Sequence, residues 1–130
     1  MVFKENEILL SIVIPCFNEA NTIAEIVEKV RQSPVERKQI IIVDDGSNDG
    51  SQEILRDLQA GDITLCFHEK NQGKGAALKT GFALAKGKIS IIQDADLEYD
   101  PSEYPLMIRP IVEGNADVVF GSRFKGSAPH

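Results

Sequence analysis

The sequence predicts an α/β domain, a mostly parallel sheet flanked by helices, and three observations carry that expectation. Apolar, β-branched runs alternate along the chain with stretches whose apolar residues recur at helical spacing. The strand-like runs are almost continuously apolar, as strands covered on both faces must be. Polar and acidic clusters follow the strand-like runs, on the one rim where open α/β sheets bind ligands. With 130 residues and 42% hydrophobic content there is material for one core and too little for two ordinary domains, so residues 1–130 are expected to form a single domain.

The first strand is expected in LLSIVIP (9–15), followed by a helix in NEANTIAEIVEKVRQ, where Ile23, Ile26, Val27 and Val30 share one face. QIIIVDD (39–45) reads as the second strand, and SNDGSQEILRDLQ as a short helix with Ile54, Leu55 and Leu58 inward. DITLCFHE supplies a third strand. GKGAALKTGFALAKG is rich in alanine and leucine and ends in Gly87, a residue suited to a helix C-terminus. KISIIQD is the fourth strand, PSEYPLMIRPIVEG a helix interrupted around Pro105 and Pro110, and ADVVFGS a fifth strand. No internal repeat, low-complexity tract or linker is visible.

Charge and composition remove several functions. A net charge of −6 disfavours a nucleic-acid backbone or an anionic membrane surface as the main partner and suits a bound divalent cation. Cys16 and Cys66 lack CxxC spacing, and His68 and His130 form no ligand pair, so neither a zinc site nor a disulfide framework is indicated, and a reducing cytoplasmic setting is expected. Lys4, Glu5 and Glu7 stand where a signal peptide needs an apolar core, and ILLSIVIPCF is too short to span a membrane.

The densest chemistry lies in ISIIQDADLEYDP (89–101), where an apolar run ends in Asp94, Asp96, Glu98 and Asp100. Magnesium and manganese prefer oxygen ligands and commonly take one or two carboxylates, with water and phosphate oxygens completing the shell. In extended backbone Asp94, Asp96 and Glu98 share a face while Ala95 and Leu97 turn away. Asp100, before Pro101, suits a turn and helix start. The plain alternative is a solvated loop with a helix cap. Similar alternatives attend the other clusters. Asp44 and Asp45 with Gly46 and Ser47 suit a turn that caps the second helix, Pro15 and Phe17 suit a packed strand end, and Asn18 and Thr22 suit a helix start. Cys16 reads as a small residue in a packed turn. Lys74, between Gly73 and Gly75, lacks the GxxxxGK[ST] spacing of a phosphate loop and reads as a helix start.

In that order, SIVIPCFNEANTI, IIIVDDGSNDGS, NQGKGAALKTGF, IIQDADLEYDP and VVFGSRF resemble the nucleotide-sugar-binding part of family 2 inverting glycosyltransferases, most of all the dolichyl- or polyprenyl-phosphate sugar synthases. The resemblance runs from about residue 10 to 124. It implies the Rossmann-like glycosyltransferase A-type fold, a UDP- or GDP-linked sugar as donor, and Mg2+ or Mn2+ at a DxD-type motif. It places Pro15, Phe17 and Glu19 against base and ribose, and Asp45, helped by Asp44, on the base. Asp94 and Asp96 match the DxD-type pair, and Glu98 stands where the synthases often have Gln. Arg123 matches an arginine beside diphosphate and metal, a role suited to a planar guanidinium. Asp96 and Arg123 are then the catalytic pair, and the acceptor oxygen displaces the nucleoside diphosphate with inversion, without a covalent enzyme intermediate.

The implied acceptor is a dolichyl or polyprenyl phosphate, or alternatively a saccharide. Members of this family often continue beyond the arginine motif, so the chain is expected to be the N-terminal part of a longer enzyme acting at the cytoplasmic face of a membrane, binding donor but transferring poorly alone. A receiver domain is the reading from another class, since Asp44, Asp45 and Asp94 imitate a phosphoacceptor site. Against it, the acidic pair follows the second strand and the fifth ends in Arg123 where a receiver needs lysine. A DxDx[TV] phosphatase fails because Glu98 occupies the Thr or Val position.

Overall fold

The computed structural model describes residues 9–95 and 101–112. Within them the elements run β1 (Leu10–Cys16), α1 (Ile23–Arg31), β2 (Lys38–Asp44), α2 (Ser51–Leu58), β3 (Ile63–Phe67), α3 (Lys74–Leu84), β4 (Ile89–Ile92) and α4 (Tyr104–Val112), the last preceded by a 3-10 turn at Pro101–Glu103. The described strands form one parallel sheet in the order β3-β2-β1-β4. The strand expected in ADVVFGS lies outside the described residues, as do Asp96, Glu98, Asp100 and Arg123.

Strand periodicity divides the core. Leu10, Ile12, Ile14 and Cys16 of β1 join Ile40 and Ile42 of β2 on one face, packed with Ile23, Ile26, Val27 and Val30 of α1, Leu55 of α2, and Tyr104 and Ile108 of α4. Val13, Ile41 and Val43 face the other way, toward Ala77 of α3. That second contact is close. A Cβ on Gly81 would lie 2.4 Å from Val13 Cγ1, so the alanine and glycine content of α3 lets the helix backbone come down on the sheet.

Two expectations are corrected. Helix α4 runs unbroken through both prolines. Pro105 is its second residue, in the first turn where an N–H has no partner within the helix, and Pro110 gives up one N–H bond without ending the helix, which continues to Val112. Gly87 does not cap α3, which ends at Leu84 with Ala85 already extended. Gly87 serves a close approach instead: a Cβ there would meet Leu9 O at 2.4 Å, and its N–H donates to Ser11 Oγ at 2.8 Å.

The strand order positions the site. From β1 to β3 the chain steps in one direction, then β4 returns to the free edge of β1. The strand order thus reverses at β1, and a crevice lies at the carboxyl ends of the strands there.

Candidate functional site

A cavity of about 330 Å3 lies at that switch point, a volume within the range of small-molecule sites. Pro15, Cys16, Phe17 and Glu19 enter it from the end of β1, Asp45 from β2, Asn71, Lys74 and Ala77 from the β3–α3 connection and α3, and Asp94 and Ala95 from β4. Five residues expected from the sequence thus meet: Pro15, Phe17, Glu19, Asp45 and Asp94. Phe17 is 44% exposed, leaving an aromatic face available beside the cavity.

Asp44 and Asp45 are adjacent in sequence and point to different tasks. Asp44 is fully buried and does not line the cavity. Its Oδ2 accepts from Ser47 N (3.0 Å) and Gln52 Nε2 (3.0 Å), fastening the β2–α2 turn, while its Oδ1 has no hydrogen-bond partner among the described residues. Asp45 turns toward α3. Its Oδ1 accepts from His68 Nδ1 (2.8 Å) and Gln72 N (2.9 Å), and its Oδ2 from Asn71 Nδ2 (3.0 Å) and Gly73 N (2.8 Å). Burial pulls this carboxyl toward its neutral form, but the His68 bond and the Gln72 and Gly73 amides outweigh that and hold it below its ordinary range.

Hydrogen bonds join the loops after β1 and β2. Asn18 N donates to Ser47 Oγ (2.8 Å), Asn48 N to Asn18 Oδ1 (2.9 Å), Glu19 N to Ser51 Oγ (3.1 Å) and Ala20 N to Asp49 Oδ2 (3.1 Å). Asn18 adopts φ +53°, a left-handed turn that asparagine tolerates, so it redirects the chain rather than starting α1. Thr22 does precede α1 but makes no side-chain cap bond. Its hydroxyl instead lies against the Ala95 carbonyl and Glu19 Oε2, linking the first loop to the end of β4. Cys16 is buried, and desolvation together with the Asp44 and Glu19 carboxylates pushes its thiol up to about 12, so it lines the cavity as a neutral group.

Asp94 sits where β4 leaves the sheet. Gln93 N donates to Val13 O (2.9 Å), and the buried Tyr104 hydroxyl donates to Gln93 Oε1 (2.8 Å), so α4 holds the strand end that presents Asp94. The Asp94 carboxylate, 15% exposed, receives the half-exposed Lys74 ammonium at 2.6 Å. Among the described residues no group of three metal-ligating side chains occurs, and Asp96 and Glu98, the expected partners of Asp94, lie outside them. Lys74 opens α3, as its sequence context suggests, and that helix start lies beside the cavity; Asn71 lines the cavity too but carries no motif that singles it out in the sequence.

Comparison with known proteins follows the same lines. The family profile described as Glycosyl transferase family 2 matches residues 11–129. The chain is 34% identical over 112 residues to undecaprenyl-phosphate 4-deoxy-4-formamido-L-arabinose transferase of Aeromonas hydrophila subsp. hydrophila, covering 82% of this chain and 34% of that protein. It is 31% identical over 120 residues to dodecaprenyl-phosphate galacturonate synthase of Rhizobium johnstonii, covering 88% of this chain and 36% of the relative. The solved mannosyltransferase PcManGT from Pyrobaculum calidifontis in complex with GDP-Man and Mn2+ matches with a TM-score of 0.64 at 29% identity, over 68% of this chain and 28% of that one. The chain spans about a third of the length of these two curated relatives.

Proposed function

The chain belongs to glycosyl transferase family 2 and has the glycosyltransferase A-type fold, and from that premise we propose that its cavity binds the nucleoside-diphosphate part of a sugar donor. The observation that carries this reading is the meeting, at one switch point, of an exposed aromatic ring (Phe17), a carboxylate (Asp94) and an ammonium (Lys74) from three separate connections. A nucleotide needs a flat apolar surface for its base and compensation for its phosphates, and these residues offer both. The family match sets the receiver-domain alternative aside.

In this reading Pro15, Phe17 and Glu19 flank base and ribose. Asp45 shapes the wall facing them, and Asp44 braces the turn beneath. Lys74 balances phosphate charge from the α3 side, and Arg123 does so from beyond the described residues. Asp94 fits a divalent cation on the evidence of its own geometry: it is a hard oxygen donor at the cavity wall and already draws a cationic group to 2.6 Å. Asp94 would hold Mg2+ or Mn2+ together with Asp96 and Glu98, and the ion's chemistry there is to offset negative charge on the departing diphosphate. The acceptor oxygen attacks the anomeric carbon from the side opposite the leaving group, the bond to the diphosphate breaks, and configuration inverts.

The names of the curated relatives support a polyprenyl phosphate as acceptor. Its phosphate oxygen is already anionic and needs no strong protein base. No described helix is long and apolar enough to cross a membrane. We assign this chain the donor-binding part of a longer enzyme working at the cytoplasmic face of a membrane.

Calorimetry with UDP, GDP and their sugar conjugates, with and without Mn2+, tests the reading. One nucleotide should bind, and much better with Mn2+ present. Failure of every nucleotide would remove the donor site, and binding unchanged by chelation would remove the metal.

A further inference from the structure

His68 has no part in the reaction outlined above, yet its surroundings are unusually complete. It follows β3, its side chain is 9% exposed, and its N–H donates to Asp44 O at 2.8 Å. Both ring nitrogens are engaged: Nδ1 with Asp45 Oδ1 at 2.8 Å, and Nε2 with Thr80 Oγ1 at 2.9 Å. The imidazole therefore links the end of β2 to the middle of α3. The Thr80 hydroxyl can donate to a bare Nε2, which leaves the proton on Nδ1, where it is directed at Asp45.

The consequence lies one bond further on. A carboxylate is free to rotate about its own axis, and the plane of Asp45 decides whether its two oxygens meet the Gln72 and Gly73 amides. His68 pins one oxygen and Asn71 the other. Without the His68 bond, Oδ1 keeps Gln72 alone and the plane is held from one side. Those amides belong to the segment that carries Asn71 and Lys74 to the cavity wall. Lys74 is the residue immediately after Gly73.

We propose that His68 is a positioning residue for nucleotide binding: with Thr80 behind it, it sets the Asp45 carboxylate, and Asp45 in turn holds Asn71 and Lys74 at the cavity. The inference rests on the donor-site reading, because the segment it positions is one wall of that site.

Two polar substitutions separate this role from packing. Asparagine can place its amide N–H where Nδ1 stands and preserve the bond to Asp45. Glutamine places its amide farther out, toward Thr80, and loses it. Affinity for UDP or GDP in the presence of Mn2+ should fall about tenfold in His68→Gln, as expected for a lost hydrogen bond to a charged group, and stay near that of the parent in His68→Asn. Hydrogen exchange at the Gln72 and Gly73 amides, measured without nucleotide, should quicken in His68→Gln alone. Parent-like binding of UDP or GDP with the two variants indistinguishable from each other would overturn the inference and leave the donor site standing. Absence of UDP and GDP binding by the parent chain would overturn the donor site and the nucleotide role of His68 with it, even if the exchange pattern survived.

Discussion

The two walls of the cavity are secured in different ways. The loops after β1 and β2 are tied by a distributed set of bonds, in which Asn18, Glu19, Ala20 and Asn48 each reach across to the other loop through a different partner. The opposite wall hangs on single groups. Among the described residues, Asp45 accepts the side-chain and backbone bonds of the segment from Asn71 to Gly73, and Lys74 is the cation paired with Asp94. A distributed wall loses one bond at a time, whereas a wall gathered on one carboxylate loses its bonds together. Lys74 sits on the second kind.

The largest effect should come from Asp45→Ala. It removes an acceptor of four hydrogen bonds at once and should cost about 3 kcal/mol in urea unfolding, with parallel loss of nucleotide affinity. A cost below that of a single-bond deletion in the other wall would end the comparison. Acid titration gives the same residue a second readout. The folded state keeps the Asp45 carboxyl charged at pH values where an unfolded carboxyl has taken up its proton. Its contribution is therefore full above the ordinary carboxylate range and is lost as pH falls through its lowered native value. Asp45→Asn should flatten that acid limb.

Gly46→Ala comes next, because Gly46 lies where the two walls touch. Its φ is +79°, and a Cβ there would stand 2.5 Å from Asn71 N and 2.7 Å from the Lys70 carbonyl carbon, so backbone must shift. About 2 kcal/mol of destabilisation is expected from strain and overpacking, together with weaker nucleotide binding. Unchanged stability would show that the second wall yields more readily than its bonding suggests.

Ser47→Ala deletes one bond of the distributed wall, the acceptor for Asn18 N. About 1 kcal/mol and little change in nucleotide affinity are expected, since the remaining ties keep both loops in place. A collapse in affinity would show that this wall is no more redundant than the other.

Lys74→Met should change stability least, by less than about 0.5 kcal/mol, because a half-exposed ion pair contributes little. It carries the opposite sign for the metal. With the ammonium gone, Mn2+ alone should bind more tightly, read by the loss of free-ion signal in electron paramagnetic resonance, while nucleoside diphosphate binds less well. Weaker Mn2+ binding in this variant would mean that Lys74 does not compete at Asp94.

Much of this architecture is legible in the chain itself. Continuous runs such as IIIV must be buried on both sides, and helical stripes such as Ile23, Ile26, Val27 and Val30 must face them, which is enough to predict a covered parallel sheet. Parallel order puts the loops after the strands on one rim, and the resemblance to family 2 glycosyltransferases picks Pro15, Phe17, Glu19, Asp45 and Asp94 out of those loops. Local patterns are also where the expectation failed. Pro105 and Pro110 look like interruptions, yet Pro105 stands in the first turn, where no N–H is needed, and Pro110 costs the helix one bond without ending it. Gly87 looks like a cap, but its lack of a side chain matters to Leu9 and Ser11, far off in sequence.

Sequence alone therefore determined the class of fold, the rim and the chemical types gathered on it, because hydrophobic periodicity and residue chemistry are local properties of the chain. Only tertiary structure decided which of two neighbouring aspartates turns under α2 and which clamps the segment before α3. It also decided that His68 and Thr80 stand behind that clamp, and that Lys74 meets Asp94 from another strand's connection. Those pairings span residues that are distant along the chain, and a hydrogen bond or ion pair needs partners within about 3 Å in the right direction, a condition set by packing rather than by spacing.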